Sequence, residues 1–332
     1  MTEAIQVGRI ETTAATEAAR PRVAVLVPCY NEEAAIGKVV ADFRASLPNA
    51  EIFVYDNNST DRTVEVAKAA GARVALEPRQ GKGNVVRRMF ADIEADVYVL
   101  VDGDDTYDAK VAPDLVRKLI DEKLDMVNGA RVTDIQAAYR PGHRFGNMML
   151  TGMVRVLFGD LIGDMLSGYR VFSRRFVKSF PSIAGGFGIE TEMTVHALQL
   201  QMPVSEVSTA YKDRPPGSAS KLRTFRDGWV ILMLIIKLMK EERPLAFFGI
   251  IASTLMLLAL AIAAPVFADY ARTGLVPRIP SAVLATGIAL LSFLSLTCGL
   301  VLDTVTRGRW EVKRLTYLNF AAPRSRAGGE RL

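Results

Sequence analysis

The chain has 332 residues, 50% of them hydrophobic and 23% charged, with 41 Lys and Arg against 36 Asp and Glu for a net charge of +5. So small a cationic surplus, much of it beside apolar segments, calls for no nucleic-acid partner, and the apolar fraction is high for a soluble protein. Cys29 and Cys298 are the only two cysteines, which excludes a disulfide framework; they are not expected to pair, and a reducing cytoplasm fits.

Residues 1–20, rich in Ala, Thr and Glu without a clear period, read as a disordered leader, and no N-terminal apolar stretch resembles a signal peptide. Val23 to Val27 then predicts a buried strand that ends in Pro28-Cys29-Tyr30-Asn31-Glu32-Glu33, with Asn31 as a cap for the following helix. No Gly-x-Gly-x-x-Gly follows, so the dinucleotide fingerprint is absent; Pro28 and Tyr30 suggest a rigid shelf for a flat base, or a plain strand-to-helix turn. A second strand, Glu51 to Tyr55, leaves Asp56 at its tip, where a carboxylate can accept from a ribose hydroxyl or a base N–H. Asn58 or Ser59 is expected to cap the next helix, which runs through Lys68.

A third strand, Arg73 to Leu76, leads into Glu77-Pro-Arg79-Gln-Gly-Lys82-Gly-Asn84. This loop lacks the first Gly and the hydroxyl of a Walker A motif, yet it offers Arg79, Lys82 and a helix N-terminus to phosphates. The fourth strand, Val97 to Val101, stops at Asp102-Gly103-Asp104-Asp105. Carboxylates two residues apart at a strand end suit a hard divalent cation whose other positions are filled by phosphate oxygens. An Asp-rich loop capping a helix near Pro113 is the other reading of that stretch. A fifth strand is expected near Asp125 to Asn128. The pattern predicts an α/β fold with a doubly wound, mostly parallel sheet, its strand tips converging on one rim suited to a nucleotide diphosphate and its metal.

Leu245 to Ala268 and Ser281 to Leu302 carry no charge, and each exceeds the roughly 20 apolar residues that cross a bilayer as a helix. A short connection makes them a hairpin. Lys237, Lys240 and Arg243 before it and Arg307, Arg309, Lys313 and Arg314 after it place both chain ends in the cytoplasm by the positive-inside rule. Leu222 to Glu242 reads as an interfacial helix lying in the headgroups. The expected organisation is therefore a leader over 1–20, a cytoplasmic catalytic domain over 21–221, an interfacial helix over 222–243, a hairpin over 244–307 and a tail over 308–332.

Four segments together, Val-Pro-Cys-Tyr-Asn-Glu-Glu, Asp-Asn-Asn-Ser-Thr-Asp, Gly-Lys-Gly-Asn and Asp-Gly-Asp-Asp, resemble those of family 2 glycosyltransferases with the GT-A fold. Asp164-Met-Leu-Ser-Gly-Tyr-Arg170, Ile189-Glu-Thr-Glu192, Arg214-Pro-Pro-Gly-Ser-Ala-Ser220-Lys221 and the two spans narrow the resemblance to polyprenyl-phosphate sugar synthases. The resemblance implies a nucleotide-sugar donor (a UDP-hexose first, a GDP-sugar next), an undecaprenyl or dolichyl phosphate acceptor, Mg²⁺ or Mn²⁺, inversion, a cytoplasmic-membrane location and a possible homotetramer. It puts Asp102 and Asp104 at the metal, with Pro28, Tyr30, Glu32, Asp56 and Lys82 around the nucleotide. Thr106 stands where relatives often carry a stronger metal ligand.

In the acceptor half, Asp164 is expected near the lipid phosphate as base or orienter, or else in a buried Asp–Arg pair. Arg170, Arg214 and Lys221, with Ser220, are the candidates for gripping phosphate oxygens, and residues 213–221 form a lid or a linker. Glu190, Thr191 and Glu192 are expected to shape the sugar pocket. His196 is expected to be a packed side chain. A processive polysaccharide synthase is the rival enzyme, although Arg309-Trp310 lacks the preceding Gln of its motif; a membrane-tethered scaffold is the rival from another class.

Overall fold

The computed structural model describes residues 21–132, 152, 162–182, 188–212, 233 and 236–323. Seven strands form one sheet: β1 Val23–Cys29, β2 Glu51–Asp56, β3 Arg73–Leu76, β4 Val97–Leu100, β5 Met126–Val132, β6 Arg170–Ser173 and β7 Val204–Ala210. Their order across the sheet is β3-β2-β1-β4-β6-β5-β7. The first half is parallel, and the chain reverses its direction of travel across the sheet between β1 and β4. That switch point opens a crevice beyond the strand ends. β6 and β7 are not foreseen from periodicity. β6 runs antiparallel to both β4 and β5 because the loop before it, 162–169, sits at the rim, so the chain re-enters the sheet from its tip side.

Helices cover both faces. On one lie α1 Ile36–Ser46, α2 Thr63–Ala69 and α4 Ala112–Asp121; on the other lie α3 Lys82–Asp92, α5 Arg174–Ser179 and α6 Ile189–Gln199. Ile36, Val39, Val40 and Phe43 recur at helical spacing and bury one stripe of α1 against the sheet, as Leu115, Val116, Leu119 and Ile120 do for α4. The expected caps differ. Asn31 takes a left-handed conformation (φ 53°) in a loop, and α1 starts only at Ile36. Asn58 is also left-handed (φ 64°), and Asp61, not Asn58 or Ser59, accepts from the Thr63 N–H at the start of α2.

Two long helices follow, α7 Pro244–Thr273 and α8 Ile279–Leu318. Both are long and apolar enough to cross a membrane, and only 11% and 17% of their apolar windows is buried within the chain. An apolar helix this exposed is not a soluble core helix. The pair meets along a seam of Ala252, Ala259 and Val266 on α7 with Ala285, Ser292, Gly299 and Thr306 on α8. Each set recurs every seventh residue, the period of a left-handed helix pair. Gly299 lets the helices approach closely, since a Cβ there would press on Phe248 Cβ at 3.0 Å, whereas one on Gly287 would meet nothing within 4 Å. Ser292 Oγ donates to the Ala252 carbonyl at 2.7 Å across the seam.

α8 continues unbroken beyond Arg307 and docks on the α/β domain. Tyr317 OH donates to Asp125 Oδ2 at 2.9 Å, and Arg314 donates to the Leu200 carbonyl at 2.7 Å. Asp125 is fully buried and also accepts from Ser173 and Arg175.

Candidate active site

The tips of β1 and β2 are neighbours, with Cys29 in register with Asp56. The loops beyond them are laced together: Asn31 N–H donates to Ser59 Oγ, Thr60 N–H to Asn31 Oδ1 and Glu32 N–H to Thr63 Oγ1, each at 2.8 Å. This lacing fixes half-buried Pro28 and Tyr30 and buried Glu32 at the mouth of the crevice. Asp56 is 2% exposed; its Oδ2 accepts from Ser59 N–H, while Oδ1 has no hydrogen-bond partner. A buried lone acceptor at a strand tip is costly unless a ligand N–H or O–H completes it.

Across the switch point, Asp102 follows β4. Lys82, the first residue of α3, places Nζ 2.5 Å from Asp102 Oδ1 and 2.5 Å from Glu190 Oε1. Burial alone would lower the Lys82 pKa, but the two carboxylates outweigh it and hold the ammonium above the usual lysine range. Glycines shape this site. A Cβ on Gly168 would collide with the Asp102 carboxylate, and one on Gly103 would meet Cys29 Sγ at 2.6 Å. Asp104 is buried, and Thr106 donates its hydroxyl to Asp104 Oδ1 at 2.6 Å. Thr106 thus orients the second carboxylate.

The acceptor-side residues are distributed differently from expectation. Asp164 is held by Arg131 through two side-chain bonds of 2.7 and 2.8 Å and one from the Arg131 N–H at 3.1 Å. Burial would raise its carboxyl, yet Arg131 outweighs burial and keeps it below the ordinary range. Arg170 corrects an expectation: it is 0% exposed, and its guanidinium donates to the Ser167 and Met165 carbonyls and to Thr194 Oγ1. It braces the rim loop from beneath and has no face toward a substrate. Arg214, Ser220 and Lys221 lie outside the described residues, as does most of the expected interfacial helix.

Glu190, Thr191 and Glu192 do not act as one pocket wall. Successive helical residues turn by ~100°, so Glu190 and Glu192 point to nearly opposite sides of α6. Glu190 joins the Lys82 cluster, while Thr191 and Glu192 line a second cavity against α8. His196 is packed against Phe176 and Phe180.

Three supporting residues are not singled out by sequence reasoning. Asn57 donates to the Glu77 and Arg79 carbonyls, each at 2.8 Å, and accepts from Gly81 N–H, so it holds the loop that presents Lys82. An amide directly after a strand-tip Asp is the signal that was available. Arg131 and Glu206 carry no local signal. Glu206 accepts from Asn128 at 2.9 Å, Gly163 N–H at 3.0 Å and Asp164 N–H at 3.2 Å, positioning the loop around Asp164. Among the described residues no cluster of three or more His, Cys, Asp or Glu could by itself hold a metal.

Residues 24–180 match the model of the family described as glycosyl transferase family 2. Glycosyltransferase AglJ of Haloferax volcanii is 37% identical over 248 residues, 72% of this chain and 80% of that protein. A dolichyl-phosphate hexose transferase of the same organism is 32% identical over 222 residues, 67% of this chain and 95% of its own length. Among solved structures, glucosyl-3-phosphoglycerate synthase of Mycobacterium tuberculosis, in complex with Mn²⁺, UDP and glucosyl-3-phosphoglycerate, superposes with a TM-score of 0.53 at 25% identity. That likeness covers 66% of this chain and 79% of the other.

Proposed function

This chain belongs to glycosyl transferase family 2, and from that premise we propose that it transfers a hexose from a nucleotide-sugar, a UDP-sugar first, to a polyprenyl phosphate at the cytoplasmic face of a membrane. The observation that carries the proposal is the union, in one chain, of the Lys82, Asp102 and Glu190 rim with two bilayer-length helices docked to the same domain. The relative named as a dolichyl-phosphate hexose transferase supports the acceptor class, and the synthase solved with UDP and Mn²⁺ supports the donor and the metal.

In this reading Asp56 Oδ1 accepts from the nucleoside, and Tyr30 and Pro28 support its ring. Asp102 and Asp104 would hold Mg²⁺ or Mn²⁺, with its other positions taken by diphosphate oxygens or water. The site suits a positive charge, because a cation, the Lys82 ammonium, already sits on Asp102. When bound, the metal supplies charge neutralisation for the leaving diphosphate. Lys82, held by Glu190 at the same rim, would offer its ammonium to a diphosphate oxygen. The acceptor's phosphate oxygen forms the new bond to the anomeric carbon as the bond from that carbon to the diphosphate breaks, and the electron pair departs with the nucleoside diphosphate. One displacement inverts the anomeric centre. A phosphate monoester with a second pKa of ~6 is already an anion at neutral pH, so a general base is not needed. Asp164, clamped by Arg131 and held ionised, suits an orienting role.

The test is incubation of the detergent-solubilised full chain with undecaprenyl phosphate, Mg²⁺ or Mn²⁺, and labelled UDP- and GDP-sugars. Label in the lipid phase that is lost with Asp104→Ala or chelator is the expected result. Label in water-soluble polymer, or no donor consumption with any sugar, would overturn the proposal.

A further inference from the structure

Two lysines, from helices on opposite faces of the sheet, bracket the Asp-rich loop after β4. Lys82 of α3 holds Asp102, and Lys38 of α1 reaches Asp105, with Nζ 2.9 Å from Oδ1. Lys38 is itself steadied by Asp42, one turn further along α1, at 2.6 Å. Its hydrogen bonds to Asp42 and to Asp105 hold the ammonium above the usual lysine range. The side chain rises from a firm base, because Ile36, Val39 and Val40 around it are buried against the sheet.

Asp105 is where the loop turns. Its φ of 55° is left-handed, a conformation that costs an L-residue energy, although Asp tolerates it better than most. The turn lets Thr106 fold back onto Asp104: the Thr106 hydroxyl donates to Asp104 Oδ1 at 2.6 Å and its N–H to the same oxygen at 3.3 Å. The aim of the second rim carboxylate therefore depends on the backbone of Asp105. Lys38 contributes the ion pair that holds Asp105 to a rigid helix 67 residues away in sequence. With the Lys38 side chain 54% exposed, such a pair adds little to global stability, so its use is local.

We propose that Lys38 is a positioning residue for the divalent cation of the donor site, acting through Asp105 to fix the left-handed turn that aims Asp104. The inference rests on the reading of the rim as a donor site. Charge alone makes the opposite prediction: removing an ammonium near a cation, and baring a carboxylate, would tighten the cation's binding. A loosened turn weakens it.

Two measurements on the full chain in detergent test this: Mn²⁺ affinity with UDP present, from the electron paramagnetic resonance of free Mn²⁺, and hydrogen–deuterium exchange of the metal-free chain. K38M should bind Mn²⁺ ~5-fold more weakly, the worth of one partly exposed ion pair, and K38R should bind as the unaltered chain does. Gly adopts the left-handed turn without help, so adding K38M to D105G should change Mn²⁺ affinity by less than ~2-fold. Amides over 103–107 should exchange ~5-fold faster in metal-free K38M. Equal or tighter Mn²⁺ binding by K38M, or the same loss in the D105G background, would overturn the proposal, as would unchanged exchange. If the unaltered chain takes up no Mn²⁺ with UDP, the donor-site reading itself fails, whereas exchange still decides whether Lys38 holds the turn.

Discussion

Removing the Lys82 ammonium tests the electrostatics of the rim directly. Its Nζ lies 2.5 Å from Asp102 Oδ1 and 2.5 Å from Glu190 Oε1, so in Lys82→Met those oxygens face each other within about 5 Å. Two unit charges at that separation repel by about 3 kcal/mol at an effective dielectric of 20. Asp102's side chain is 30% exposed and Glu190's 7%, so solvent screens one member, and a penalty of about 2–3 kcal/mol is the working figure. In detergent the thermal midpoint should fall by roughly 5–10 °C at about pH 8. Lys82→Arg should recover most of the loss, and excess Mn²⁺, a cation for Asp102, should recover part of it in Lys82→Met. Scanning fluorimetry of the three chains, with and without Mn²⁺, reads all of this. A deficit unmoved by Mn²⁺, or not recovered by Lys82→Arg, would refute the charge cluster as the cause and leave lost packing as the explanation.

Other substitutions probe neighbouring links. Gly168→Ala should displace the Asp102 carboxylate and lower Mn²⁺-dependent transfer by ~10²-fold with little change in thermal midpoint; transfer at the native rate would show that the loop yields. Arg131→Met strands a buried carboxylate and should cost roughly 3–5 kcal/mol at neutral pH. Because the Asp164 carboxyl is depressed in the folded chain, the stability it contributes is present above its unfolded value near 4 and is lost as pH falls through the folded value. The difference between Arg131→Met and the unaltered chain should therefore be full at pH 7 and close below about pH 4 in a melting series. Tyr317→Phe removes one of the bonds on Asp125, while Arg175 and Ser173 keep the carboxylate satisfied. About 1.5 kcal/mol of docking should be lost, read as roughly tenfold faster amide exchange in the last turns of α8.

Much of this protein is written locally. Val23–Cys29 and Val97–Leu100 are recognisable as buried strands because their apolar side chains are consecutive along the chain. Asp56, Asp102 and Asp104 are marked by where those strands stop, and the two spans by an absence of charge over a bilayer's thickness. Each of these is a property of neighbouring residues, so periodicity and composition suffice to find it. Tertiary structure alone decided the pairings. Asp164 meets Arg131 and not Arg170, Lys82 meets Glu190, and α8 ends on Asp125 rather than in a loose tail. The direction of β6 belongs with these, since it depends on which end of the sheet the preceding loop occupies. A charge carries no sequence signal of its partner, because Coulomb attraction and desolvation depend on distance in space, and only the closed sheet brings residues far apart along the chain within reach of one another.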